Sequence, residues 1–189
     1  MTPDALLGGF QAAPQQSARA FRAALEAMAR PGTLWPLEGA APPAPLSVAA
    51  GVLILTLCDG TTPLHLGGSY DLQVVRDWVT FHTGAPLVAA EEAHFALGTW
   101  ADLMPFDRFA IGLPDYPDRA ATLIVEMPSL SNQGPRLTGP GIAVVAHLNL
   151  PETAAFRANR ALFPQGFDTY LTSGAHVAGL PRSTIVEAV

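Results

Sequence analysis

The sequence predicts an α/β protein in which a mixed sheet is flanked by helices. Three observations carry that expectation. Gln15 to Arg30 and Tyr70 to Phe81 repeat apolar residues with a helical period. Thr122-Leu123-Ile124-Val125-Glu126-Met127 is an apolar, partly β-branched run of strand length. Helical segments alternate with strands early in the chain, and strands dominate late, which is the pattern of layered α/β folds.

The first helix places Ala18, Phe21, Leu25 and Met28 in one apolar stripe, with Arg19, Arg22 and Glu26 on other faces. Arg30-Pro31-Gly32 ends it, because a residue before proline is pushed out of helical dihedrals and glycine accepts a left-handed turn. Thr33 to Leu37 is a short strand candidate, and Glu38 to Pro45 is a Gly/Pro/Ala loop. Ser47 suits the cap of a second helix ending near Leu57; being apolar all round, that helix belongs in the interior. Asp59-Gly60-Thr61-Thr62-Pro63 turns the chain into a strand at Leu64 to Leu66. In the third helix, Tyr70 to Phe81, the spacing puts Leu72, Val75, Trp78 and Val79 inward, and Gly84 and Pro86 close it.

His94 to Leu97 alternates as a short strand, whereas prolines break residues 99 to 118 into less regular pieces. Arg136 to Val145 reads as a glycine-interrupted strand pair. A helix from about Thr153 to Leu162 follows, then strands near Thr169 to Leu171 and Ser183 to Val186. At 189 residues the expectation is one domain, spanning 1–189.

Composition narrows the function classes. The net charge is −6 and the ten basic residues are scattered, so the clustered cations of a nucleic-acid protein are missing. All ten are arginine. Without lysine, no Schiff base forms on a lysine amine, which excludes covalent pyridoxal phosphate or lysine aldolase chemistry. Charged residues are only 14% of the chain, against about 25% in typical domains, consistent either with a surface covered by a partner or with an Ala/Gly/Pro-rich composition. Cys58 is the sole cysteine and lies in an apolar run, where a buried small side chain is expected rather than a reactive thiol. Met1-Thr2-Pro3-Asp4 lacks the start of a secretory leader, and the run from Val48 to Leu57 is far short of the ~20 residues of a membrane span, so a cytoplasmic protein is expected.

Few segments suggest chemistry on their own. The five histidines form no metal-binding pair at helical spacing, and no metal site is expected. His82, in Phe81-His82-Thr83-Gly84, sits at a helix C-terminus where it suits either proton transfer or capping of the last carbonyls. Arg136-Leu137-Thr138-Gly139-Pro140-Gly141 pairs a guanidinium with a hydroxyl and glycine amides, a set able to hold an oxyanion, although Gly-Pro-Gly is also an ordinary turn. Ser129-Leu130-Ser131-Asn132 follows a strand but does not match a nucleophile elbow. Asp59 and Asp168 each suit an acid, a base or a turn former.

Several segments taken in order carry a resemblance. They are Phe21-Arg22 through Arg30-Pro31-Gly32, Leu55-Thr56-Leu57 with Asp59 and Thr62-Pro63, Phe81-His82-Thr83 with Ala85-Pro86-Leu87-Val88, and Ala121-Thr122-Leu123-Ile124. Ser129-Leu130-Ser131, Arg136-Leu137-Thr138-Gly139 with Gly141-Ile142, Phe163-Pro164 with Gly166 and Asp168, and Pro181-Arg182-Ser183-Thr184 continue it. Together they resemble the PhnH family of carbon–phosphorus lyase proteins. The segments between Leu97 and Arg119 and between His147 and Leu162 match poorly.

The resemblance implies the fold of pyridoxal-phosphate-dependent transferases without the cofactor, and homodimers when the protein is alone. It implies association with G-, I- and J-type subunits of the lyase core complex. With G-, I- and L-type subunits the family supports attack of an alkylphosphonate on the ribose C1′ of ATP, displacing adenine and giving ribose 1-phosphonate 5-triphosphate. Carried onto matching positions, His82 and Asp59 are candidate catalytic residues. Arg136, Thr138, Gly139 and Arg182 are candidates for binding the substrate anion. Two alternatives stay open: an independent enzyme acting on phosphonates, and an unrelated homodimer that binds a small anion.

Overall fold

The computed structural model describes residues 6–187. Met1 to Asp4, where no leader was read, lie outside them. Helix α1 spans Ala13–Ala29 and leads through Pro31-Gly32 into strand β1, Trp35–Pro36. Helix α2, Val48–Leu57, is capped as expected: Ser47 is extended and its hydroxyl accepts from the Ala50 amide at 3.1 Å. Strand β2, Leu64–Leu66, precedes α3, Gln73–Thr83, which ends on Gly84 in the left-handed conformation. The third helix therefore starts later than its period predicted. Tyr70 closes a separate 3₁₀ turn, and Leu72, expected inward, is an exposed N-cap.

Strand β3, Phe95–Thr99, runs into α4, Trp100–Leu103. The region read as irregular holds this helix and a hairpin, β4 (Ile111–Leu113) with β5 (Tyr116–Ala120), joined by Pro114-Asp115. Strand β6 is Thr122–Glu126. Of the strand pair expected within Arg136 to Val145, only β7, Arg136–Thr138, lies there; residues 139–145 are a loop, and the partner strand β8, Ala146–His147, follows it. Helix α5, Ala154–Ala161, leads to β9 (Asp168–Ser173), β10 (His176–Leu180) and β11 (Ile185–Val186). Strand β10 was not predicted, because Gly174-Ala175 gave only a weak signal that the strand turns back on itself.

The main sheet has six strands in the order β1-β10-β9-β6-β3-β2. Strands β2, β3, β6 and β9 are mutually parallel and β10 is antiparallel, so the expected mixed α/β sheet is present. Alternate residues feed two cores. Leu97, Ile124, Tyr170 and Val177 point into a core shared with α1, α2 and α3. Ala96, Leu123, Val125, Leu171 and Ala178 point into a second core with Leu103 of α4, Phe156 of α5, and Leu137 and Val186 of a small sheet, β11-β7-β8. No helix among the described residues is long and apolar enough to cross a membrane.

The contact of α1 with the sheet is unusually close. A side chain on Gly179 of β10 would lie 2.6 Å from the backbone of Ala27 and Met28. Only small residues fit that contact, and Ala20, Ala24 and Ala27 are the residues α1 buries. Phe21 and Leu25, which the sequence groups in one stripe, consequently face solvent at 53% and 57% exposure.

Candidate functional site

The two cores sort the candidate residues onto opposite faces of the main sheet. Asp59 and His82 belong to the helical layer, whereas Arg136, Thr138, Gly139 and Arg182 lie on or beside the small sheet.

Asp59 follows α2, and its turn meets the end of α3 where Gly60 approaches Gly84. Its Oδ1 accepts from the Thr61 amide at 2.8 Å, the Thr61 hydroxyl at 2.8 Å and the Thr62 hydroxyl at 2.9 Å. The Thr61 and Thr62 donors hold its carboxyl below the ordinary value. The side chain thus forms the turn and stays ionised, which suits an electrostatic role better than proton transfer. His82 lies within the last turn of α3 rather than beyond it. Its Nε2 is 3.3 Å from the Leu7 carbonyl oxygen, to which the Trp78 indole also donates at 3.0 Å. The imidazole sits against Trp78 and Phe81, with ring centroids 5.1 and 4.9 Å away. His82 and Trp78 together pin the segment around Leu7 to Gly9 onto α3. Asp59 and His82 share a corner of the molecule, yet each side chain is turned to its own partners.

On the other face, the pleat of β7 sends Leu137 into the core and presents Arg136 and Thr138 outward. Register adds neighbours that spacing along the chain does not reveal. His147 of β8 is paired with Arg136, and Ile185 of β11 with Thr138, so all four side chains share one surface. Arg136 makes an ion pair with Glu187 at 3.0 Å, and both side chains are largely exposed. His147 Nδ1 is 3.0 Å from the Gly134 carbonyl oxygen. Gly139 has a positive φ of 122° where the chain leaves β7 and passes the backbone of Ser183. This surface offers one guanidinium, a hydroxyl and an imidazole within a few residues of each other.

Arg182 is set differently. Its guanidinium reaches both oxygens of Asp168, at 3.1 and 2.6 Å, and the Pro117 carbonyl at 2.7 Å. Asp168 also accepts from the Arg182 amide at 2.8 Å. The side chain is 12% exposed. A bidentate pair with a third acceptor, mostly withdrawn from water, locks the β10–β11 connection to the amino end of β9.

A polar cluster that the sequence reading overlooked occupies the carboxyl ends of the parallel strands, where α/β sheets commonly place ligands. Glu126 ends β6 nearly buried, accepting from the Ser47 amide at 2.7 Å and the Thr172 hydroxyl at 3.0 Å. Burial pushes its carboxyl above the ordinary value, against those hydrogen bonds. The Tyr70 phenol is pushed up to about 12 by burial, with the charges of Glu126 and Asp102 adding to it. Asp102 caps α4 by accepting from Thr99 and Ser69. The signal was present in the sequence: a carboxylate that closes an apolar run is either at a surface or bonded. Beyond it lies a shallow crevice of about 310 Å³ lined by Pro128, Ser129, Ser173 and His176 among others. The Ser129 carbonyl accepts from Asn149 at 2.8 Å. Cys58 is buried, and that burial pushes its thiol up to about 12, with the Asp59 charge adding to it. Among the described residues, no group of three His, Cys, Asp or Glu side chains is placed to hold a metal ion.

A family model described as "Bacterial phosphonate metabolism protein (PhnH)" matches residues 8–187. The chain is 42% identical over 176 residues to the "Alpha-D-ribose 1-methylphosphonate 5-triphosphate synthase subunit PhnH" of Rhizobium meliloti (strain 1021), covering 88% of each chain. It is 34% identical over 182 residues to the "Putative C-P lyase subunit protein HtxG" of Stutzerimonas stutzeri, covering 93% of this chain and 87% of that one.

Proposed function

The chain belongs to the PhnH family of bacterial phosphonate metabolism proteins, and from that premise we propose that it is a subunit of the carbon–phosphorus lyase core complex. In this reading it supports transfer of an alkylphosphonate to the ribose C1′ of ATP with displacement of adenine. The observation that carries it is the extent of the likeness: the relative named as a subunit of the ribose 1-methylphosphonate 5-triphosphate synthase matches along 88% of both chains. The reading includes a single cytoplasmic domain without pyridoxal phosphate, related in fold to the transferases that use it. The absence of lysine and the parallel centre of the sheet support that part. It also includes self-association of the isolated chain and G-, I- and J-type subunits as partners.

Arg136 is the anion contact of this reading, with Thr138 and Gly139 beside it. Its pairing with Glu187 is exposed, and such pairs contribute only ~0–1 kcal/mol, so the guanidinium exchanges readily onto a phosphonate or phosphate oxygen. Arg182 already commits a donor from each guanidinium nitrogen within the chain and acts by holding the strand that carries Ile185 and Glu187. His82 and Asp59, on the far face, serve polar roles at a different contact.

The test is reconstitution with the G-, I-, J- and L-type subunits of the same organism, assayed for adenine release from ATP and methylphosphonate. The assembled complex should release adenine, the isolated chain should not, and Arg136→Ala should assemble normally yet lose turnover. Turnover by the isolated chain would overturn the subunit reading, and unchanged turnover in Arg136→Ala would remove the anion role.

A further inference from the structure

The outward side of α1 carries an apolar stripe that nothing among the described residues covers. Pro14, Ala18, Phe21, Leu25 and Ala29 recur at spacings of three and four residues, and all are exposed. The stripe continues onto the loop over residues 139–145. Gly141 sits so close to the carbonyl end of α1 that a side chain there would run into the Ala29 oxygen. The next turn of the main chain is held the same way, since a side chain on Gly32 would lie 2.5 Å from the Ala146 methyl. The loop itself is apolar and turned to solvent: Ala143, Val144 and Val145 are exposed, Val144 at 78%. Isolated exposed apolar residues are ordinary, but a helix stripe joined to an apolar loop marks a contact surface.

Charge along one flank of the stripe points to what covers it. Arg19 and Arg22 are exposed, and among the described residues neither has an ion-pair or hydrogen-bond partner. Glu26 is already engaged by Arg30 at 3.2 Å. The flank is therefore basic on a chain whose net charge is −6. A second copy meeting this face with its α1 antiparallel across a two-fold axis would bring four unpaired guanidinium groups to one edge, which costs binding energy. A surface with apolar side chains edged by carboxylates meets no such opposition.

We propose that the α1 stripe and the 139–145 loop form the docking face for a partner subunit presenting an apolar ridge edged by Asp and Glu. The proposal rests on the subunit reading and adds to it the face, the chemistry of the partner and the exclusion of self-association there. Phe21 and Leu25 fill pockets between the partner's apolar side chains, and Arg19 and Arg22 pair with its rim.

The experiment uses the full chain co-expressed with the G-, I- and J-type subunits of its own organism, with affinities of the purified components measured at two salt concentrations. Phe21→Asp combined with Leu25→Asp, and Val144→Asp separately, should each weaken assembly about ten-fold or more. Arg22→Glu should weaken it and abolish most of its salt dependence. Leu113→Asp, an exposed apolar site on the β4–β5 hairpin, should assemble as the wild type does. Circular dichroism guards against misfolding, and the altered positions are all exposed. Wild-type affinity in the Phe21/Leu25 variant, or an equal loss in Leu113→Asp, overturns the docking face while leaving the subunit reading intact. Failure of the wild-type chain to assemble overturns the subunit reading and this proposal with it. If sedimentation shows the isolated wild type as a dimer and the Phe21/Leu25 variant as a monomer, the face belongs to a second copy and the proposal is wrong.

Discussion

Helices α1 and α2 pack side by side on the same face of the main sheet, and they treat their apolar residues in opposite ways. Helix α2 is apolar all round and buries Ala49 through Ile54 without a gap. Helix α1 buries only three alanines and leaves Phe21 and Leu25 in water. The cause is the strand beneath α1. Gly179 draws the helix so near the sheet that large side chains have no room on that side, and they are left to point away. Large apolar residues are thus no guide to the buried face where backbone meets backbone closely.

The contrast is broken or upheld most strongly by paired truncations. Leu53→Ala in α2 empties a fully buried site and should cost about 2–5 kcal/mol in denaturant unfolding. Leu25→Ala in α1 should stay within about 0.5 kcal/mol of the wild type. A comparable cost for Leu25→Ala would mean that α1 seats its stripe against the protein after all. Next in size is the close approach itself. Gly179→Ala puts a methyl 2.6 Å from the Ala27 backbone and should destabilise the fold by about 1–3 kcal/mol, read as a lower urea midpoint. An unaffected midpoint would show that α1 can ride outward freely.

Much of this architecture was legible in the residues. The Ser47 cap, the interior placement of α2, the β6 strand and the end of α1 at Arg30-Pro31-Gly32 were all local signals, and local physics decided them. The rest depended on partners distant in sequence. Strand β10 is specified mainly by pairing with β9 along Ser173 to Thr169, and its own residues include a glycine that makes sense only once α1 is packed above it. The surface around Arg136 was half legible: Arg136 and Thr138 alternate along one strand, but His147 joins them only through the β7–β8 register. Arg182 and Asp168 were both noticed, yet nothing local announced that they hold each other. Glu126 needed the positions of Ser47 and Thr172, 79 and 46 residues away.

The two helices also begin differently. Helix α1 starts without a side-chain cap, while α2 starts on Ser47, whose hydroxyl accepts the Ala50 amide and whose own amide is taken by Glu126. Ser47→Ala should therefore cost ~1 kcal/mol, and Ser47→Gly only a few tenths beyond the wild type. Equal losses for the two would assign the effect to backbone freedom instead of the cap.

The smallest expected effect separates the cap from the carboxylate behind it. Burial raises Glu126 in the folded protein above the 4.5 of a free glutamate side chain, although the Ser47 and Thr172 donors work against that shift. The folded chain therefore holds this proton to higher pH than the unfolded chain does. Its contribution to stability is fully present below pH 4.5 and is lost as pH rises through the folded pKa. Asp59, Asp71 and Asp102 are shifted downward, so their contributions run the other way and are lost as pH falls. A raw stability profile mixes the two, and the informative quantity is the difference between the wild type and Glu126→Gln. The glutamine carbonyl still accepts the Ser47 amide but carries no titrating proton. Urea unfolding at intervals between about pH 4 and 8 should show the wild type losing ground to the variant as pH rises. A difference independent of pH would mean that Glu126 titrates alike in both states, so that the start of α2 rests on a hydrogen bond and not on a buried, proton-linked carboxyl.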